Sequence, residues 1–185
     1  MDLIVNRSKA RTMKTITAVV MTIAAGTAGA WDHFDVAVTV DDLPILGKPA
    51  KGQTFSSIAS AHLAVFRAHQ VPEAYGFVNA KGVESAPDGA FVLAAWRKAG
   101  QPLGNHTYSH LNLVDAPSLK AWKGDVEAGE DAVATRMTGL DWRWLRFPFL
   151  SLWGERSGPA LAYLRERGYR VADVSLSFDD WRYPT

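Results

Sequence analysis

The chain has no cysteine among its 185 residues, which excludes a disulfide framework, a thiolate nucleophile and any cysteine-held metal. It lacks an apolar run of membrane-spanning length. The uncharged stretch from Thr15 to Ala30 has 16 residues, short of the ~20 a bilayer needs. It has no usable excess of positive charge either. The formal charge is +1, but residues 1–30 hold four bases (Arg7, Lys9, Arg11, Lys14) against one acid (Asp2), leaving 16 bases and 18 acids beyond them, a charge of −2. No basic patch remains to argue for a nucleic-acid partner. Histidine is scarce as well: five in all, none after His110.

What is present begins with a leader. A basic lead, an uncharged run and Ala28-Gly29-Ala30 follow one another in the order of a secretory signal. The reading is a signal peptide over residues 1–30 and one domain over 31–185, periplasmic or secreted, with no stable membrane insertion after cleavage. An uncleaved N-terminal anchor is the alternative. The remaining 155 residues suffice for a hydrophobic core. Their patterning alternates. Strands are expected at Val36–Val40, Ala74–Asn79, Gln101–Gly104, Trp142–Phe149 and Tyr169–Leu176. Helices are expected from Thr54 or Ser56 to Gln70, with Ile58, Ala61, Val65 and Ala68 as its apolar face, then over Gly89–Ala99, Ser118–Met137 and Ser157–Arg167. Such alternation implies βαβ units and a parallel sheet, an α/β fold whose chemistry gathers at the carboxyl ends of the strands.

Four stretches sit at those ends. Asp41 and Asp42 close the first strand. Adjacent side chains on a strand diverge, so one carboxylate can hold a metal while the other serves as a base; a plain loop cap is the bland alternative. His106 and His110 follow the third strand four residues apart. On a helical turn both imidazoles would share a face, and with one carboxylate they make a ligand set that suits Zn²⁺. A solvated or core-satisfied pair is the competing reading. Arg146 lies in Leu145-Arg146-Phe147-Pro148-Phe149, either a rim cation for a carboxylate or a surface side chain laid over rings. Asp179-Asp180-Trp181 follows the last strand, and Trp181 is either a cleft wall or a core residue. Trp122, Trp142, Trp144 and Trp153 are further candidates to line a groove.

In order, these pieces resemble the polysaccharide deacetylases, the NodB-homology group of carbohydrate esterase family 4. Thr39-Val40-Asp41-Asp42 is similar to its first motif, His106-Thr107-Tyr108-Ser109-His110 to its second, Arg146-Phe147-Pro148-Phe149 to its third and Ser177-Phe178-Asp179-Asp180-Trp181 to its fourth. The resemblance implies a distorted (β/α) barrel with fewer strands than a TIM barrel, incomplete at its C-terminus. It implies a hydrolase that removes acetyl groups from an N- or O-acetylated carbohydrate, with metal-activated water as nucleophile and Asp41 as base. Asp42, His106 and His110 would hold the metal, zinc first, with Co²⁺, Mn²⁺ or Ni²⁺ also accepted by such ligands. Arg146 would orient Asp41, the Phe149 N–H would stabilise the oxyanion, and Trp181, Asp180 and Pro148 would face the substrate.

Two departures stand out. Ser177 occupies the place of an Asp that in the family holds the motif-three Arg, so Arg146 would lean on Asp173, Asp179 or Asp180. No histidine follows His110 to match the fifth motif, which supplies the general acid. His33, His62 and His69 lie before the first strand or on an outer helix and are poor substitutes. An amidase for non-sugar substrates and a catalytically impaired carbohydrate-binding module are the alternative functions. The sequence leaves the oligomeric state open.

Overall fold

The computed structural model describes residues 36–44 and 47–178. The expected leader, His33, Asp179, Asp180 and Trp181 lie outside the described residues. The elements run β1 (Val38–Leu43), α1 (Phe55–Ala68), β2 (Ala74–Val78), α2 (Ala80–Ser85), α3 (Gly89–Lys98), β3 (Leu103–Asn105), α4 (Leu119–Ala128), α5 (Glu130–Ala134), β4 (Trp144–Leu145), a 3₁₀ turn (Pro148–Leu150), α6 (Ser157–Glu166) and β5 (Arg170–Val171). The five strands pair in parallel in sequence order, β1-β2-β3-β4-β5. This is the α/β arrangement expected: consecutive βα units winding one way along an incomplete, distorted barrel wall. No helix among the described residues is long and apolar enough to cross a membrane.

Local chemistry explains the elements. Thr54 caps α1: its side chain accepts from the Ser57 N–H, and the Ser57 hydroxyl accepts from the Thr54 N–H in return. The face that α1 buries is Phe55, Ala59, Leu63 and Phe66, not the expected Ile58, Ala61, Val65 and Ala68; Val65 is exposed. Both sets have helical spacing, and the one with the larger rings and branches takes the core. Gly100 and Gly168 end α3 and α6 in the left-handed region, with φ of 84° and 76°.

Two apolar clusters flank the sheet. One packs Trp96, Leu93, Leu103 and Met137 beneath α1 and α3; the other packs Trp122, Leu145, Phe147 and Leu164 among α4 and α6. Trp96 and Trp122 are fully buried, and truncating either to Ala costs about 3–5 kcal/mol. Trp122 stacks on Phe147 with centroids 5.3 Å apart, so it belongs to the core and not to a groove. Trp142 packs against both clusters, Trp144 is half-buried beside Tyr75, and Trp153 is exposed.

The long helix expected at Ser118–Met137 breaks at Gly129 into α4 and α5. The chain between Asn105 and Tyr108 crosses Gly129 so closely that a Cβ would meet Asn105 Oδ1 at 2.6 Å. The expected strands at 142–149 and 169–176 each shorten to two residues. After Leu145 the chain turns away from the sheet, because residues 146–150 build the rim.

Candidate metal and catalytic site

The rim assembles at the carboxyl ends of β1, β2, β3 and β4. In β1 the register with β2 slips between Val40 and Leu43, and Asp42 takes a left-handed φ of 64°. This bulge re-aims the two carboxylates. The nearest oxygen of Asp41 lies 3.3 Å from the Arg146 guanidinium, while Oδ1 of Asp42 points at the two histidines.

His106 leaves β3 with its N–H donated to the Val78 carbonyl at 2.9 Å. The H-x3-H segment is not a helical turn. Thr107 and His110 have φ of 66° and 61°, and the left-handed steps fold the loop back so that His110 meets His106 edge-on, with centroids 4.9 Å apart. Nε2 of His106 lies 3.5 Å from Asp42 Oδ1, and Nε2 of His110 lies 3.4 Å from the same oxygen. The three residues offer donor atoms all within 4.8 Å of one another.

The protonation of His106 decides whether this group suits a cation. Nδ1 lies 2.8 Å from the Arg146 carbonyl, an acceptor, so Nδ1 carries the proton and Nε2 presents a lone pair. Burial pushes the His106 pKa down to about 4, against the opposing pull of Asp42 and the Arg146 carbonyl; the ring is neutral at pH 7. A neutral nitrogen lone pair then faces a carboxylate oxygen at 3.5 Å, acceptor against acceptor. A divalent cation between them satisfies both, and N, N, O is a ligand set that Zn²⁺ takes readily. The backbone carbonyl on the far nitrogen is the outer partner that metal-bound histidines ordinarily have. The residues fit a metal.

Arg146, 2% exposed, ties the two halves together. Its carbonyl orients His106; its guanidinium donates to Asp41 at 3.3 Å and to the Thr39 hydroxyl at 3.2 Å, and lies 4.8 Å over the Phe77 ring. Burial lowers its pKa, opposed by Asp41 and Asp173. Of the acids expected to support Arg146, Asp173 contributes at a distance; the close contact is with Asp41, the carboxylate Arg146 was expected to orient. Phe149 has a φ of 58°, and its ring is 66% exposed with its centroid 4.6 Å from that of His110. Its N–H donates to no group among the described residues. Pro148 is buried at the first position of the 3₁₀ turn, where it sets the turn and offers little surface to a ligand. His62 lies exposed on α1 and His69 at its C-terminal cap, before β2 begins, and neither joins the Asp42–His106–His110 group.

Sequence reasoning did not single out Asn79 or Asn105, two buried amides. Asn105 Nδ2 donates to the Val126 carbonyl and the Tyr169 hydroxyl, and its Oδ1 accepts from the Thr107 N–H. Asn79 Nδ2 donates to the His106 carbonyl. Their signal was position: an Asn closing a strand immediately before a helix or a histidine.

The family model described as polysaccharide deacetylase matches residues 29–172, and the chain belongs to that family. Among solved structures it is similar to a family 4 carbohydrate esterase from Streptomyces lividans in complex with acetate (16% identity, TM-score 0.57, 79% of this chain and 65% of that one). It is also similar to the chitin deacetylase of the fungal pathogen Colletotrichum lindemuthianum (23% identity, TM-score 0.58, 78% and 57%). A third likeness is to a family 4 pseudoenzyme from Bacillus anthracis (18% identity, TM-score 0.57, 82% and 48%). The chain thus spans between about half and two thirds of the length of these neighbours, which share its fold. No curated protein matches it in sequence.

Proposed function

We propose that the protein is an exported, metal-dependent hydrolase that removes acetyl groups from an acetylated carbohydrate, with residues 1–30 as its export signal and residues 31–185 as its domain. One observation carries the reading: the lone pair of a neutral His106, oriented by the Arg146 carbonyl, converges with His110 on Asp42 Oδ1. Asp42, His106 and His110 would hold the ion, zinc first. The chemistry such an ion supplies is Lewis-acid polarisation of a carbonyl and acidification of water.

The chain's own groups supply the rest. Asp41 accepts the proton of the attacking water; Arg146, held by Thr39 and Phe77, fixes which way the carboxylate faces. The Phe149 N–H, on the rim beside His110, donates to the oxygen that gains negative charge as the acetyl carbon becomes tetrahedral. Left-handed backbone at Asp42, His110 and Phe149 costs about 1–3 kcal/mol each and is the kind of strain that gathers at working sites. Trp181 and Asp180 would complete the acetyl pocket.

Acetate release from N-acetylglucosamine oligomers, measured with and without a chelator, tests the reading. The proposal expects release that the chelator abolishes and added Zn²⁺ restores. Zn²⁺ binding without acetate release would instead identify a carbohydrate-binding module, and chelator-insensitive release would remove the metal from the chemistry.

A further inference from the structure

Asn79 stands at the point where β2 ends and α2 begins. An Asn at that place ordinarily turns its side-chain oxygen onto the first N–H groups of its own helix. Here it makes no such bond. Its Nδ2 instead donates to the His106 carbonyl at 2.7 Å, and its own N–H donates to the Leu43 carbonyl at 3.0 Å. The residue is 5% exposed, and its Oδ1 is buried with no hydrogen-bond partner among the described residues. A buried amide that forgoes its helix cap and leaves one acceptor unmatched is being held for its other bond.

That bond falls where the β2–β3 ladder stops. The His106 N–H is the last rung, accepted by Val78. One residue later Thr107 turns left-handed and the chain departs from the sheet. The His106 carbonyl therefore has no strand N–H opposite it, and the Asn79 amide stands in for one. Asn79 also grips β1 at Leu43, the neighbour of Asp42. It thus spans the two strand ends whose side chains face each other across 3.5 Å.

We propose that Asn79 is a positioning residue for the metal site. It sets the His106 main chain, and with it the distance and angle at which Nε2 meets Asp42. This rests on the metal reading above. Three fixed points then define the ligand: Val78 at the His106 N–H, Asn79 at its carbonyl and Arg146 at Nδ1. Removing the middle one frees the peptide to rotate and misplaces the imidazole.

The test compares wild type with Asn79→Leu, which keeps the branched outline in a somewhat larger volume and removes both polar groups, and with Asn79→Asp, which keeps the shape and removes the donor. Zn²⁺ affinity is read by competition with a chromogenic chelator, the d–d absorption of the Co²⁺-loaded protein reports ligand geometry, and metal-free urea unfolding reports stability. Gln101→Leu is the control. Gln101 is buried too, and its side chain accepts from the Ala74 N–H at the opposite end of the sheet. Both Asn79 variants should bind Zn²⁺ about tenfold to a hundredfold more weakly, as loss of an outer partner does, with an altered Co²⁺ spectrum. Gln101→Leu should lose stability but hold Zn²⁺ as wild type does. If Asn79→Leu does not fold, Asn79→Asp decides alone. Zn²⁺ affinity within twofold of wild type and an unchanged Co²⁺ spectrum would overturn the assignment. So would an equal loss of affinity in Gln101→Leu, which would mark a general effect of destabilisation. Wild type that binds neither ion would remove the metal reading itself, and the role of Asn79 with it.

Discussion

Replacing Gly129 with Ala sets two effects of opposite sign against each other. Gly129 joins α4 to α5 with φ −78° and ψ −14°, ordinary helical backbone. On propensity alone, Ala there should stabilise by about 1 kcal/mol. The surroundings argue otherwise. A Cβ would lie 2.6 Å from Asn105 Oδ1, 3.1 Å from the Thr107 carbonyl carbon and 3.2 Å from the Tyr108 nitrogen. None of these yields easily. Asn105 is fully buried and bonded through both ends of its amide, to Val126, Tyr169 and Thr107. The other two atoms are main chain of the loop between His106 and His110. Overpacking costs about 1–3 kcal/mol, and each buried hydrogen bond broken to relieve it adds about 1 kcal/mol. The clash should win, for a net loss of about 1–3 kcal/mol. Urea unfolding of the metal-free protein measures it, and Zn²⁺ affinity should fall as the loop shifts. Gly124→Ala, inside α4 with nothing within 4 Å of its Cβ, should gain about 0.5–1 kcal/mol. If Gly129→Ala is as stable as Gly124→Ala, the close crossing of loop and helix is wrong.

Three more expectations follow from the same geometry. Asp41→Asn should keep Zn²⁺ bound and lower turnover by about 10²–10⁴; an unchanged rate in the acetate assay would discard Asp41 as the base. Arg146→Lys keeps the charge but cannot reach Asp41 and Thr39 together. It should lower kcat and destabilise by about 1–3 kcal/mol, and wild-type values for both would show that the fork is idle. Acid should weaken the metal-free fold through His106. Its folded pKa of about 4 lies below the unfolded value of about 6.5, so the unfolded chain takes up the proton first. This contribution is complete above pH 6.5 and is lost as pH falls, reaching roughly 3 kcal/mol by pH 4. The stability difference between wild type and His106→Gln should shrink by that amount, and parallel urea-unfolding profiles would contradict it.

The parts of the fold that sequence patterning reached are those set locally. Alternating strands and helices, the Thr54 cap and the Gly100 and Gly168 stops all follow from side-chain chemistry within a few residues. Asp41, Asp42, His106, His110 and Arg146 could be placed on one rim because each closes a strand in a parallel sheet. What stayed hidden is tertiary. Asp42 and His110 are residue types that tolerate a left-handed backbone, but Thr107 and Phe149 are not, and contacts from other elements impose it on all four; the spacing of the two histidines therefore said only what a helical turn would do. The break at Gly129 depends on a loop arriving from β3. The α1 face was misjudged because helical spacing alone cannot choose between overlapping stripes. Asn79 and Asn105 gave only a weak signal, since an amide near a helix start reads as a cap, and only the fold shows Asn79 reaching across to His106.

The central claim is that Asp42, His106 and His110 share one divalent ion. Crystals soaked in Zn²⁺ and measured on both sides of the zinc absorption edge test it most directly. The account predicts a single strong anomalous peak about 2.0–2.2 Å from Nε2 of His106, Nε2 of His110 and a carboxylate oxygen of Asp42. A well-ordered rim with no peak there, or zinc held by other side chains while these three remain apart from it, would contradict the account.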